Sequence, residues 1–412
     1  MCERKFYPNI RKQLPARTFI FKLGFYSLFF MIILLNTVTA QLVKTIDISS
    51  SYDDNVYHSP EKVDETVTDF TARLIYRPKD SNINLNYNGS YLMYNELHTR
   101  NFYMNTLGFN YLKNMDENEL YTLYLGADWT MRINGDEYNY YDYNQIYAYT
   151  NFSFNSDWIY IRTGYNYRYR NYSNVPDLTN NQHYGFLQMN RSFPTRTTMI
   201  LEADLGHKTF SGQVIKTIFE SGGSGGKGNG RMSESSAITY TSTATSEVPS
   251  LTHAILLARI AQSLHTKIGV YLQYRRQISL TDMTSYVNFD NYYQDEELFD
   301  DPFSYESEMY SSQFTWIMPW QMQFQAGGGT AVKNYISETA FESIDDSTGL
   351  AGIREDDVMN FYVNFSKTFF LNKKLINSLQ FNLNYSYIRN ESNSYWYNFE
   401  NAVIYSGIQW TF

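Results

Sequence analysis

The feature that most constrains the fold is a repeated segment of about ten residues in which apolar and polar side chains alternate. Between residues 378 and 387, for example, Leu379 and Phe381 alternate with Gln380 and Asn382. Successive side chains of a β-strand point to opposite faces, so each segment predicts a strand with one apolar and one polar face. Ten tilted strand residues are enough to cross the hydrocarbon core of a membrane.

The composition agrees with such strands. The chain has 39 Tyr and 28 Phe, its charged fraction is only 18%, and its mean hydropathy is nevertheless -0.45. A helical membrane protein would be far more hydrophobic, and an ordinary soluble domain carries about 25% charged residues. Strands with one wet face and one lipid-facing face account for both values.

The links between the alternating segments decide between a membrane barrel and a soluble β-sandwich. Short links alternate strictly with long ones, which a barrel with short periplasmic turns and long outer loops requires and a sandwich does not. The short links are at 78–81, 114–118, 155–157, 194–197, 264–267, 318–321 and 370–377. The long links are at 53–66, 95–100, 132–142, 171–182, 207–250, 277–307, 334–357 and 390–396.

These links predict an all-β fold, a transmembrane antiparallel up-and-down β-barrel of about 16 strands (range about 14–18). The first and last strands then pair and close the sheet, because an open edge would leave backbone groups unpaired in lipid. Residues 207–250 are interpreted as one long outer loop. The alternative, an extra hairpin formed by residues 214–219 and 238–245, stays open.

The N-terminal 40 residues have the layout of a signal peptide. Basic residues precede an apolar run from Leu23 to Leu35, and small residues end at Ala40 before Gln41. An uncleaved anchor is the less favoured alternative, because that run is shorter than the roughly 20 residues that a spanning helix needs. Residues 41–412 then form one barrel domain, and Cys2, the only cysteine, is lost with the signal. The net charge of -9 argues against nucleic-acid binding.

The C-terminal strand carries the most specific signal. Ile404, Ile408, Trp410 and the terminal Phe412 share one face. This strand resembles the terminal signal of Gram-negative outer-membrane β-barrels, in which a final strand ending in Phe is recognised by the barrel-assembly machinery. The resemblance implies that Ile408, Trp410 and Phe412 form the assembly signal and that the protein lies in the bacterial outer membrane, in contact with lipid and lipopolysaccharide.

The start of the barrel adds a second resemblance. Residues 46–57 read I-D-I-S-S-S-Y-D-D-N-V-Y, which is similar to the opening of porin-like β-barrel proteins. In detail the likeness covers only the first strands and the last one. The resemblance implies a secreted barrel. It does not indicate a substrate.

The alternation also assigns candidate pore residues. A charge that faces lipid at mid-membrane costs about 2–4 kcal/mol, so polar residues within the strands are expected to face inward. The residues predicted to line the pore are Asp128, Arg162, Asn166, Arg168, Glu202, Asp204, Gln273 and Arg275. Two interpretations remain: a lumen that shapes the field on passing solutes, or an inward network that only stabilises the barrel.

Two outer loops are strongly acidic. Carboxylate oxygens are suitable ligands for Ca²⁺ or Mg²⁺, either within a loop or as a bridge to lipopolysaccharide phosphates. The candidate ligands are Asp295, Glu296, Glu297, Asp300 and Asp301, and a second acidic stretch at 338–357 contains only Arg354 as a base. A solvated acidic surface that favours cations or neutral solutes is the alternative.

No catalytic residue is predicted, because the six histidines lie at strand ends or in loops without a recognisable partner. An outer-membrane hydrolase would instead require His183 or His207 to contact a Ser and an acid. Residues 222–230 imitate a phosphate loop, but Gly228 follows Lys227 where Ser or Thr is needed. Aromatic residues near strand ends are assigned to an interfacial girdle; these are Tyr138, Tyr140, Tyr141, Tyr143, Trp396 and Tyr397.

The sequence therefore predicts a porin-like channel for passive or weakly selective diffusion of small solutes, without a cofactor other than loop-bound Ca²⁺ or Mg²⁺. The alternative is a surface-binding or structural barrel, such as an adhesin or a polysaccharide-associated protein. The choice between monomer and trimer stays open.

Overall fold

The computed structural model describes residues 41–211, 213–219, 241–247, 250–281, 302–346, 349, 351–373 and 376–412. The predicted signal peptide lies outside these residues and stays a prediction. In the described part of the chain, four short 3-10 helices occupy His98–Arg100, Asp136–Tyr141, Pro176–Leu178 and Tyr395–Tyr397. Within the described residues, none of the helices has the length and apolar character needed to cross a membrane.

The strands, numbered in chain order, are β1 Gln41–Asp53, β2 Glu65–Arg77, β3 Ile83–Tyr94, β4 Phe102–Asn114, β5 Tyr121–Asn134, β6 Tyr143–Asn155, β7 Tyr160–Tyr172, β8 Asn180–Ser192, β9 Thr197–Phe210, β10 Gln213–Phe219, β11 Thr241–Glu247, β12 Leu251–His265, β13 Ile268–Ser279, β14 Tyr305–Met318, β15 Met322–Ala340, β16 Gly352–Lys373, β17 Ile376–Ser392 and β18 Phe399–Thr411.

Sixteen of these strands form one closed antiparallel barrel. Each strand pairs with its neighbour in the chain, except that β9 pairs with β12 across the intervening hairpin. β1 pairs with β18, with Ile48 opposite Ile408, and this pairing closes the sheet. Closure leaves no open edge, so the backbone groups of every barrel strand have neighbours to bond. The predicted strand number, the up-and-down topology and the pairing of the first and last strands are all confirmed.

Between β9 and β12 the structure contains the hairpin that was the open alternative for residues 207–250. β9 continues to Phe210, and β10 and β11 form a separate two-stranded sheet with Gln213 opposite Glu247. The glycine-rich run 222–230 lies between the two strands. A glycine run weakens a strand that contains it, but it does not prevent the flanking segments from pairing as a hairpin.

The predicted short turns occur where the sequence placed them, and several contain residues with positive φ. Trp320 and Gln321, between β14 and β15, have φ of 57° and 58°. Met318 pairs with Met322, so three residues form this turn, and left-handed backbone conformations let the chain reverse direction within so few residues. On the opposite side the strands reach further than predicted. β15 ends at Ala340 and β16 begins at Gly352, so the predicted 334–357 loop is shorter.

The two faces of the sheet differ sharply. On β9, Leu201 and Leu205 are about half exposed, whereas Glu202 and Asp204 point to the other face. The same holds around the barrel, where exposed large apolar residues include Leu107, Leu256, Leu272 and Ile404. An apolar surface of this extent cannot remain in water. The outer face is therefore a lipid-facing belt.

The buried side chains are concentrated at the end of the barrel that carries the long loops. Tyr141, Tyr172, Val175 and Leu178 form a packed cluster there, and Tyr138, Tyr140 and Tyr143 pack against it. Tyr141 retains only 3% of its exposure. The girdle assignment is wrong for Tyr141, because the β5–β6 and β7–β8 loops fold over its ring and remove it from the membrane interface.

Candidate pore and outer rim

The eight predicted pore residues all lie on the inner face of the barrel. Strand register links them: Asp128 and Arg168 both stand opposite Tyr147, and Glu202 stands opposite Gln188. Their neighbours in the chain form the lipid-facing belt. All eight side chains keep intermediate exposure instead of being buried in a packed core. Their part in a solute path stays a prediction.

Most charged residues of the inner wall lie on β5 to β13, and a smaller group on β1 and β2 consists of Asp47, Asp69 and Arg73. Their contacts are mainly with amides and rings. Arg259 Nε donates to Gln273 Oε1 at 2.8 Å, and the guanidinium of Arg162 lies 5.0 Å from the centre of the Phe186 ring. Asn86 Nδ2 donates to Asp128 Oδ1 at 3.5 Å. These partners are neutral, whereas Asp204 also interacts electrostatically with Arg275 and Glu202. The wall therefore presents charges of both signs to the lumen.

The other half of the inner wall, from β14 through β18 to β1, is built from amides and hydroxyls. One row runs across five adjacent strands, because register places its members opposite one another in turn. The row consists of Gln325, Asn364, Asn384, Tyr405 and Ser51. On this wall Lys333 and Arg354 lie towards the long-loop end, whereas Asp47 lies in the middle of β1, opposite Gln409 and Thr71. The sequence did not predict this wall as a site. Apolar residues alternate with Asn, Gln or Ser in the same way whether the polar face binds a ligand or only completes the barrel.

Tyrosine rings lie flat along the inner wall over glycines of neighbouring strands. A Cβ at Gly327 would fall 2.5 Å from Tyr362 Oη, and one at Gly126 would fall 2.3 Å from Tyr149 Oη. Each glycine stands directly opposite its tyrosine in the ladder. Tyr362 Oη also donates to Gln313 Oε1 at 2.5 Å. The absence of a side chain at these positions lets a bulky ring cover the wall without projecting into the lumen.

Among the described residues, the inner wall borders at least two open cavities. One of 590 Å³ lies along β15 to β18, next to the amide row, and one of 600 Å³ lies nearer the long loops, beside Tyr271, Gln273 and Tyr362. Both volumes are within the range of about 300–1,000 Å³ that small-molecule sites occupy. In the described part of the chain, the middle of the barrel is therefore not filled by packed side chains.

The outer rim is held by a buried ionic cluster around Arg354. Its guanidinium lies between the rings of Tyr335 and Tyr397, 4.1 Å and 3.3 Å from their centres. Arg354 Nη1 donates to Glu338 Oε1 at 3.0 Å, and Nε donates to Asp356 Oδ1 at 3.0 Å. These residues come from β15, β16 and the β17–β18 loop. The cluster ties three consecutive outer segments together.

The D-D-N motif at the end of β1 closes the barrel seam. Asn55 is fully buried, and its Nδ2 donates to Glu400 O at 3.0 Å and to Ser59 O at 2.8 Å. Asp54 Oδ1 accepts from the Ala402 backbone N–H at 2.6 Å. The motif that resembles porin-like proteins therefore has a structural role at the β1–β18 seam.

The histidines singled out for a hydrolase lie on the outer face of β8 and β9. His183 Nδ1 is 2.6 Å from Tyr165 Oη, and His207 Nδ1 is 2.8 Å from Thr252 Oγ1. The required serine and acid are not among the hydrogen-bond partners of these two rings within the described residues. The geometry gives the hydrolase hypothesis no support.

The predicted metal ligands Asp295, Glu296, Glu297, Asp300 and Asp301 lie outside the described residues, so that site stays a prediction. In the described ranges, no three or more His, Cys, Asp or Glu side chains are grouped to hold a metal ion. In the second acidic stretch, the buried acids Glu338 and Asp356 bind Arg354 instead.

The C-terminal residues Ile408, Trp410 and Phe412 lie on the lipid face of β18. Trp410 stands opposite Ile46, and the Phe412 backbone N–H donates to Lys44 O at 2.9 Å. The strand is fully paired in the folded barrel. The assembly machinery would recognise this strand before the barrel closes, so its recognition stays a prediction.

The closed 16-strand barrel, the lipid-facing belt and the polar inner wall together define a porin-like transmembrane β-barrel of the bacterial outer membrane. The predicted location in the outer membrane is confirmed for this class of barrel. No family model matches the chain, and no curated protein matches it.

Solved structures with a similar arrangement have very different sequences. Pseudomonas aeruginosa OpdL has a TM-score of 0.48 and 8% identity, with 91% of this chain and 99% of that chain covered. Pseudomonas aeruginosa OccK8 (OprE) has a TM-score of 0.47 and 8% identity, with coverage of 91% and 98%. A bacterial polysaccharide outer membrane secretin has a TM-score of 0.45 and 9% identity, with coverage of 90% and 98%. These scores are too low to carry an argument, so the fold assignment depends on the strand pairing described above.

Proposed function

We propose that the protein is a channel for passive, weakly selective diffusion of small solutes across the outer membrane. The observation that supports this most directly is the inner wall, whose polar side chains remain partly exposed through the middle of the barrel. Barrels of sixteen to eighteen strands are wide enough to leave an aqueous channel. The packed residues lie near the long loops, where they narrow the mouth instead of filling the lumen.

The inner wall carries charges of both signs, which supports weak selectivity instead of a strong preference for one sign of ion. The arginines that face the lumen are Arg73, Arg162, Arg168, Arg259 and Arg275, and the acids are Asp47, Asp69, Asp128, Glu202 and Asp204. Charges on the low-dielectric wall of a narrow pore act on passing ions at short range. The surface-binding alternative depends on the acidic loop at 282–301, which lies outside the described residues.

Insertion by the barrel-assembly machinery through Ile408, Trp410 and Phe412 belongs to the same proposal. So does contact of the outer surface with lipopolysaccharide. Outward ion pairs near the long-loop end, such as Arg276 with Glu308 at 3.2 Å, lie at a suitable level for lipid head groups.

Ion selectivity in planar bilayers tests the proposal. The inward double variant Arg162→Gln/Arg168→Gln should shift the reversal potential in a salt gradient towards cation preference, because two positive charges leave the wall. The matched control Arg276→Gln/Arg389→Gln removes two arginines from the outer face and should leave the reversal potential unchanged. Purified, folded protein that gives no conductance steps would contradict the channel, and equal shifts in both variants would contradict the inner-wall assignment.

A further inference from the structure

The amide row on the β14–β1 wall has the properties of a ligand site. It borders the 590 Å³ cavity, which is lined by Gln325, Asn364, Ser366, Gln380, Asn382, Asn384, Ser51 and Tyr405 among others. These side chains are neutral, and each carboxamide or hydroxyl is both a donor and an acceptor. They come from five adjacent strands, so the polar groups are repeated around the wall at the strand spacing of about 4.8 Å.

Among the described residues, these amides use only part of their hydrogen-bonding capacity on one another. Asn384 Nδ2 donates to Asn364 Oδ1, and Gln380 Nε2 donates to Asn382 Oδ1 at 3.0 Å. These two bonds use one position on each of the four amides, and each amide has up to four. The two bonds also hold the side chains in fixed orientations. The wall therefore presents a preorganised set of donors and acceptors.

From this wall we infer that the protein has a binding subsite for neutral polyhydroxylated solutes, with a disaccharide as the representative ligand. Sugar hydroxyls both donate and accept, which matches carboxamides better than it matches a charged wall. Tyr405, which lies over Gly407, adds an aromatic surface for the C–H face of a sugar ring. The inference rests on the proposed channel and names the solute class that the channel would favour.

The opposite wall offers a matched comparison. In the order of strands around the barrel, β7 stands directly across from β17, with β6 and β8 on either side of β7. Asn151 on β6 and Asn190 on β8 are inner-face amides outside the proposed subsite. Replacing Asn151 and Asn190 together removes two inner-face amides, the same number as replacing two amides of the proposed subsite.

The test is titration calorimetry of the detergent-solubilised full barrel with sucrose, together with sucrose block of ion current in planar bilayers. Wild type should bind sucrose saturably. Asn364→Leu/Asn384→Leu should weaken binding about tenfold or more, as expected for the loss of several hydrogen bonds. Because both members of the Asn364–Asn384 pair become apolar, folding should be preserved. Asn151→Leu/Asn190→Leu should bind as wild type does, and heat-modifiable gel mobility confirms that each variant is folded.

The outcomes separate the two proposals. Wild-type protein that conducts ions but shows no saturable sucrose binding would overturn the subsite and leave the channel. Sucrose binding without conductance would contradict the channel and support the subsite. Equal weakening in the two double variants would also overturn the subsite, because the binding would then not depend on this wall.

Discussion

At the residue scale, the contact between Gly327 and Tyr362 shows how a wall with many aromatic residues is kept open. A Cβ at position 327 would lie 2.5 Å from Tyr362 Oη and 2.8 Å from the Ser312 backbone oxygen. The ring cannot remain where it is once that atom is present. The glycine is therefore required by the close approach of a neighbouring strand's side chain, not by its own backbone angles.

The substitution Gly327→Ala should displace the Tyr362 ring into the lumen and break its bond to Gln313. We expect a loss of about 1–3 kcal/mol in the free energy of unfolding, as is typical of overpacking, together with reduced single-channel conductance. Urea unfolding in lipid vesicles and bilayer recording measure the two effects. Gly269→Ala is the control, because its nearest atom is 3.7 Å away. Equal effects in the two variants would show that the contact is not the cause.

Glu65 is a buried carboxylate that fixes the β3–β4 loop. It accepts backbone N–H groups from Thr66, Asn95, Glu96 and Leu97 at 2.7–3.1 Å. The outward residues beside it, Thr66 and Thr68, are polar, so Glu65 lies above the lipid belt. Burial alone would raise the pKa of Glu65, but the backbone donors outweigh it and hold the pKa below its ordinary value.

A lowered pKa in the folded state means that the ionised carboxylate stabilises the fold. That contribution is present above the unfolded pKa of about 4.3 and is lost as pH falls through the lower folded value. Hydrogen exchange at residues 95–97 should therefore be slow at neutral pH and faster in strongly acid solution, after correction for intrinsic rates. Glu65→Gln should exchange rapidly at neutral pH, whereas Glu96→Gln, in the same loop, should not. Protection that is unaffected by Glu65→Gln would contradict this role.

At the scale of elements, the outer ends of β15 and β16 extend well past the roughly ten residues needed to cross a membrane. Their extension is held by the Arg354 cluster, in which one guanidinium binds Glu338 and Asp356. Removing Arg354 takes the guanidinium away from two buried acids. Breaking a buried pair from one side typically costs about 3–5 kcal/mol.

Arg354→Met should therefore loosen the β15–β16 extension and expose the 341–351 connection to protease, while the membrane part of the barrel stays folded. Adding Glu338→Gln and Asp356→Asn should restore much of the protection, because no charge is then buried alone. Arg389→Met is the control, since Arg389 is about half exposed in its pair with Glu391 and exposed pairs contribute about 0–1 kcal/mol. Cleavage that is equally fast in the Arg354 and Arg389 variants would exclude the proposed role.

The elements also show what the sequence can and cannot predict. Alternation with a period of two placed the sixteen barrel strands, and link lengths placed the turns, because both depend only on local residues. The β10–β11 hairpin was only the less favoured alternative, because a glycine run interrupts the alternating pattern without preventing pairing. The Arg354 cluster and the Gly327–Tyr362 contact depend on the register between neighbouring strands. That register cannot be read from a single sequence.

At the scale of the whole molecule, the inner wall has two chemically different halves. Charged side chains are most numerous on β5 to β13, with a smaller group on β1 and β2, and amides and hydroxyls predominate on β14 through β18. The charged half was predictable, because a charge within a lipid-crossing strand must face inward. The amide half was not, because Asn, Gln and Ser alternate in the same way on a scaffold and on a binding surface.

The central claim is that the middle of the barrel is an open polar lumen. Swelling of liposomes that contain the purified protein tests it directly, with a graded series of neutral solutes from glycerol to raffinose. An open lumen predicts swelling faster than in protein-free liposomes, with rates that fall as solute size rises. Swelling no faster than in protein-free liposomes for every solute, from protein shown to be folded and inserted, would contradict the claim.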